Sequence, residues 1–161
     1  MSTLVLGLGN SIMTDDGFGV KVVNTLLSRY HFQGKIRLID GGTLGLDLLP
    51  HLEDVEYLLI IDALDMRDKP GQLFRIEGED VPRAFASKLS VHQMGLQDLL
   101  AVAELQGHVP TKLVVWGVQP ECIEMGTDLT ATVESAVEPV VQKILNELQA
   151  WGVVFEVRGG K

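Results

Sequence analysis

Cysteine, basic residues and long apolar runs are all scarce in this chain, and each scarcity removes a class of protein. The single cysteine, Cys122, cannot close an internal disulfide, which suits a reducing compartment. Lys and Arg number 13 against 22 Asp and Glu, a formal net charge of −9 that repels phosphate backbones and anionic lipid headgroups alike. No nucleic acid and no membrane surface is therefore expected as a partner. No apolar run approaches the roughly 18 residues that span a bilayer, and Met1 leads into a short apolar segment with no basic stretch before it. A cytoplasmic protein is expected. What remains is a globular balance, 46% hydrophobic and 22% charged over 161 residues, enough for one core and too little for two.

Apolar patterning then alternates between strand and helix. Residues 3–8 form a short apolar run ending in Gly7, Gly9 and Asn10, as a buried strand feeding a loop does. Thr14 or Asp15 can cap a following helix, with Asp15 and Asp16 in its first turn and Val22, Val23, Leu26, Leu27 and Tyr30 at helical spacing up to Gly34. Ile36–Ile39 read as a second strand stopped by Asp40-Gly41-Gly42-Thr43, and Leu44, Leu48, Leu49 and Leu52 suggest a short helix. Tyr57–Ile61 form a third, uninterrupted apolar strand that ends at Asp62. Gln72–Ile76 read as a weaker strand, antiparallel at an edge, after the Lys69-Pro70-Gly71 turn.

Ser90-Val91-His92-Gln93 has the form of a capping box, which puts His92 at the second position of a helix over Met94–Leu105. Lys112–Val118 make another strand, and the apolar positions from Leu129 to Leu148 define a long amphipathic helix that Pro139 should kink or divide. Val153–Val157 suggest a last short strand, and residues 158–161 a flexible tail. The expectation is one domain over residues 1–157, a three-layer α/β/α sandwich around a mostly parallel twisted sheet, with ligands at the carboxyl ends of the strands.

Several familiar site motifs are missing. The third glycine of a dinucleotide fingerprint would fall on Ile12, no lysine follows a phosphate loop, Met13 breaks a nucleophile elbow around Ser11, and H-E-x-x-H does not occur. Gly7 and Gly9 then read as residues of tight turning and close packing. The acids are more informative, since Asp16 follows the first strand, Asp40 ends the second and Asp62 ends the third, all at one sheet edge. Asp15, Asp40, Asp65 and Asp68, taken singly, read as turn formers or caps. Asp62 follows a wholly apolar strand, where a carboxylate requires a cation or hydrogen-bond donors. His92, near a helix N-terminus, is kept neutral and able to donate a lone pair. Two carboxylates and one imidazole form an incomplete site for zinc, manganese or nickel, with positions left for substrate or water. His31, His51 and His108 lack such a setting, and Cys122, in a loop with no neighbouring base, reads as structural.

GLGNSIMTDDGFG at 7–19, DGGTLGLDLL at 40–49, IIDA at 60–63, SVHQMGL at 90–96 and GVQP at 117–120 together resemble the [NiFe]-hydrogenase maturation endopeptidases, in order over nearly the whole chain. The resemblance implies cleavage of a C-terminal extension from a hydrogenase large-subunit precursor once nickel has been inserted. It implies that Asp16, Asp62 and His92 contact nickel supplied by that precursor, with no tightly held cofactor of the protein's own. The position of Asp16 is Glu in some members, one methylene longer. Asp40, with Gly41 and Gly42, is a candidate for holding the substrate backbone or assisting water attack. Three routes to hydrolysis stay open: water activated by a carboxylate, water activated by a metal, and nickel acting only as an anchor. A nickel-independent small metallopeptidase and a non-catalytic large-subunit chaperone are the rival readings.

Overall fold

The computed structural model describes residues 2–42, 45–81, 107 and 109–160. Among these, the strands are β1 (Thr3–Leu8), β2 (Tyr30–Gln33), β3 (Ile36–Gly42), β4 (Tyr57–Ala63), β5 (Leu73–Glu77), β6 (Lys112–Val118) and β7 (Val154–Val157). The helices are α1 (Phe18–Arg29), α2 (Ala131–Glu134) and α3 (Val137–Ala150), joined by single-turn or 3₁₀ segments at Thr14–Gly17, Gly45–Leu52 and Arg158–Gly160. Five strands form one sheet in the order β3-β1-β4-β6-β5, parallel except for β5.

The sheet is covered on both faces, which explains why its central strands lack polar alternation. Successive side chains of β1 and β4 point to opposite sides. Val5, Leu59 and Ile61 pack with Phe18, Val22 and Leu26 of α1 and Val140, Ile144 and Leu148 of α3. Leu4, Leu6, Leu58 and Ile60 pack on the other face with Leu48 and Leu52 of the 3₁₀ segment. The expected α/β/α sandwich is therefore present, with β5 as the antiparallel edge that the turn at residues 69–71 suggests.

Three local expectations are corrected. Neither Thr14 nor Asp15 caps α1; the turn Thr14–Gly17 precedes the helix and makes no side-chain cap bond, because both side chains reach across to a distant loop. The apolar run after Leu129 is two helices, broken at Ser135–Ala136, and Pro139 is the third residue of α3, where a missing N–H costs no helical bond. Tyr30 is the first residue of β2, not the last turn of α1. It pairs with β7 in a separate antiparallel ribbon, held by Tyr30 against Phe155 at 5.6 Å and Phe32 against Phe155 at 5.7 Å between ring centres. The helix expected over Met94–Leu105 lies outside the described residues.

One feature of this topology positions the site. The chain leaves β1 through α1 to β3 on one flank, then returns to β4 on the other. Connections diverge on either side of β1, which makes the carboxyl ends of β1 and β4 the topological crevice where open α/β sheets bind ligands.

Candidate active site

Gly9 is the pivot of this crevice. Its φ of +121° lets β1 turn away at once, and a methyl group there would fall 1.8 Å from the Asp16 carbonyl oxygen and 3.3 Å from Asp62 Oδ1. Backbone of the first loop and carboxylate of β4 thus meet on the one residue that has no side chain. Asp16 and Asp62 are both fully buried. Asp16 Oδ2 accepts the Asn10 N–H at 2.9 Å, and Asp62 Oδ1 accepts the Ala63 N–H at 2.8 Å, so a backbone donor serves one oxygen of each buried carboxylate. Asn10 also accepts the Ile12 N–H on its own side chain, folding the loop tightly over Asp16.

Asp40 lies near the carboxyl end of β3, before Gly41 and Gly42, in register with Gly7, but on the opposite side of β1 from β4. Two strand spacings, roughly 10 Å, separate it laterally from the position of Asp62. It is exposed and lies 3.5 Å from the Asn24 amide of α1. His92 lies outside the described residues, as does His108. Among the described residues no three His, Cys, Asp or Glu side chains form a metal-holding group. His31 lies on β2 and His51 beside Arg37 near the start of β3, away from the carboxyl edge.

Loops around the pair are built by acids of another kind. Asp15, also fully buried, accepts the N–H groups of Glu121, Cys122 and Thr130 at 2.8–2.9 Å and the Thr130 hydroxyl at 3.0 Å. Thr14 donates its hydroxyl to the Cys122 carbonyl at 2.7 Å and accepts the Glu124 N–H at 3.0 Å. Residues 14 and 15 therefore clamp the loop after β6 to the turn that carries Asp16. Spacing along the chain offers no signal for this, since the partners of Asp15 stand 106 to 115 positions away.

Gln119 does the same for the loop after β4, accepting the N–H groups of Met66 and Asp68 and donating to Asp65 at 3.0 Å. That bond and the Arg67 N–H hold the Asp65 carboxyl below its ordinary pKa. Asp65 and Asp68 are turn residues, each accepting a nearby N–H. Cys122 is half-buried; desolvation and the adjoining Glu124 push its thiol up, which keeps it protonated and agrees with a structural role. A groove of about 320 Å³ runs from Ser11 and Gly17 along Lys21 and Asn24 to Thr127 and Glu134.

Comparison with known proteins agrees with this geometry. Residues 20–147 match the family described as hydrogenase maturation protease (HycI). The chain is 39% identical over 154 residues to the hydrogenase 2 maturation protease of Escherichia coli (strain K12), covering 95% of this chain and 94% of that one. It is 40% identical over 152 residues to the hydrogenase expression/formation protein HupD of Rhodobacter capsulatus, covering 93% and 72%. The solved structure of the hydrogenase maturating endopeptidase HybD from E. coli superposes with a TM-score of 0.95 at 38% identity over the full length of both chains. That of the [NiFe] hydrogenase maturation protease HybD from Thermococcus kodakarensis does so at 0.75 and 28%, covering 92% and 99%. With a crevice at the sheet edge, a buried pair of aspartates beside it and this degree of likeness, the chain is a peptidase and belongs to the hydrogenase maturation protease family.

Proposed function

We propose that this protein cleaves the C-terminal extension from a [NiFe]-hydrogenase large-subunit precursor that already holds nickel, and that Asp16, Asp62 and His92 grip that nickel. The observation that carries the reading is that the Asp16 backbone and the Asp62 carboxylate meet at Gly9, with both aspartate side chains fully buried at the β1–β4 edge. Two carboxylates brought out of water repel one another, and a cation presented by the substrate offsets both the repulsion and the desolvation. Nickel on the precursor then serves as the recognition element, and it sets the register of the scissile bond. Thiolates of the precursor complete a coordination shell that two carboxylates and an imidazole leave open.

Chemistry on the protein side is general. A carboxylate that does not face the metal can take a proton from attacking water, and the amide nitrogen must be protonated as it leaves. Asp40, with the Gly41 and Gly42 backbone, is suited to holding the substrate chain along the edge of β3. The groove beside Lys21 and Asn24 has room for a short peptide segment.

The test is a time course of intact mass with nickel-loaded, nickel-free and zinc-loaded precursor at matched concentration. Cleavage is expected only with nickel, and equal rates for loaded and nickel-free forms would defeat the gating. Asp16→Asn, Asp62→Asn and His92→Ala should each abolish processing while the protein remains folded by circular dichroism. Near-normal processing by two of the three would overturn the site. After dialysis the isolated protein should retain far less than one nickel per chain, because its own ligands leave the ion under-coordinated.

A further inference from the structure

The rim of the candidate site carries apolar side chains that the fold does not use. Ile12 is 51% exposed, Ile123 44% and Met125 82%, all in the two loops that flank Asp16. These side chains stand on one platform. The Gly126 N–H donates to the Ile12 carbonyl at 2.9 Å, the Thr14 N–H donates to the Gly126 carbonyl at 2.9 Å, and Met13 bridges Gly126 in parallel. Asp15 and Thr14 pin the backbone of residues 121, 122, 124 and 130 from beneath. Exposed isoleucine and methionine on a backbone this well bonded are a displayed surface, because the hydrogen bonding that fixes the loop contributes nothing to covering them.

We propose that Ile12, Ile123 and Met125 form a docking surface for the folded body of the precursor, distinct from the contacts that hold its nickel or its extension. This rests on the reading above that the substrate is a hydrogenase precursor. Two features favour that occupant. The platform is continuous with the turn of Asp16, so a protein whose scissile bond reaches the crevice must lie over it. Its flanks are also acidic, with Glu121, Glu124 and Asp128 exposed and no basic residue between positions 119 and 128. The matching surface is an apolar patch bordered by Lys and Arg. Methionine at the most exposed position suits a surface that must adapt to a partner's contour.

The experiment measures affinity of the wild-type chain and its surface variants for nickel-loaded precursor made uncleavable by substitution at its scissile bond, together with kcat and KM on the cleavable precursor. Met125→Asp and Ile12→Asp should each weaken binding at least tenfold and raise KM in proportion with kcat retained. Val154→Asp, at a similarly exposed position on the ribbon at the other end of α1, should do neither. Affinity of the unmodified surface should fall as salt rises from 50 to 300 mM, which are chosen conditions spanning about a 2.4-fold change in screening length. Unchanged affinity in both Met125→Asp and Ile12→Asp would overturn the docking surface. So would conversion of a dimer to a monomer by Met125→Asp, in sedimentation, with precursor affinity intact, since that assigns the patch to a second copy of this chain. If Asp62→Asn cleaves like the wild type, the site reading fails while the affinities still decide the surface.

Discussion

Asp15 and Asp16 are adjacent, both fully buried, and bonded in opposite directions. Asp16 turns toward Asn10 and the crevice; Asp15 turns toward the loop after β6. Asp15→Asn keeps the shape but presents an amide NH₂ to a ring of N–H donors, so at least one of them loses its acceptor. A loss of about 2–3 kcal/mol in urea unfolding is expected, and less than about 0.5 kcal/mol would show that water replaces the carboxylate. Asp16→Glu should leave unfolding little changed and retain part of the processing activity, because the resemblance admits the longer acid at this position. Complete loss would mean that the crevice requires the shorter arm. The motif places Asp16 in the loop after β1, where the structure buries it, and the packing role of Gly9 follows from its place after a buried strand. The role of Asp15 has no such signal in the sequence, since its acceptor oxygens serve residues more than 100 positions away.

At the scale of elements, α1 approaches the sheet with no side chain between backbones. A methyl group on Gly19 would lie 2.1 Å from the Ile61 carbonyl oxygen and 2.5 Å from that of Leu8. Gly19→Ala must lift the first turn of α1 away from β1 and β4, and should cost about 2–3 kcal/mol. It should also reduce processing, because the turn of Asp16 leads directly into this helix. An unchanged urea midpoint would show that the helix can slide. Pro139→Ala is expected to shift stability by less than about 1 kcal/mol, since the third residue of a helix has no intrahelical acceptor to lose. A larger loss would mean that proline fixes the angle between α2 and α3. Helical spacing alone runs these two helices together, while Pro139 signals the division that falls just before it, at Ser135–Ala136.

For the whole molecule, one polar cluster ties the antiparallel edge to the helical layer. Arg75 of β5 stands opposite Trp116 of β6, and Glu147 of α3 accepts from both, at 2.8 Å from Arg75 Nε and 3.1 Å from the Trp116 indole. The Arg75 guanidinium holds the Glu147 carboxyl below its ordinary value of 4.5, and Glu147 in turn raises Arg75. A depressed carboxyl contributes stability that is present above its unfolded pKa and is lost as pH falls through the folded one. Glu147→Gln should therefore lower stability by about 1 kcal/mol at neutral pH. The difference from wild type should shrink below about pH 4.5, the value around which the unfolded carboxyl titrates. Melting temperature against pH for both proteins checks this; a constant gap down to pH 2.5, a chosen condition, would contradict the linkage.

The layers of this fold follow from local chemistry. Unbroken apolar runs, turn residues at their ends and one strong helical stripe already imply a covered parallel sheet, and acids at three strand ends already mark its carboxyl edge. Strand order is different in kind. Which neighbours flank β1 depends on long-range packing, and it is that order which brings Asp62 to Gly9 and leaves Asp40 across the strand. The β2–β7 ribbon, the clamp made by Thr14 and Asp15, and the apolar rim of Ile12, Ile123 and Met125 depend on it as well. Each joins segments whose separation along the chain exceeds any spacing rule, so their chemistry is written in the residues and their meeting is decided by the burial of the core.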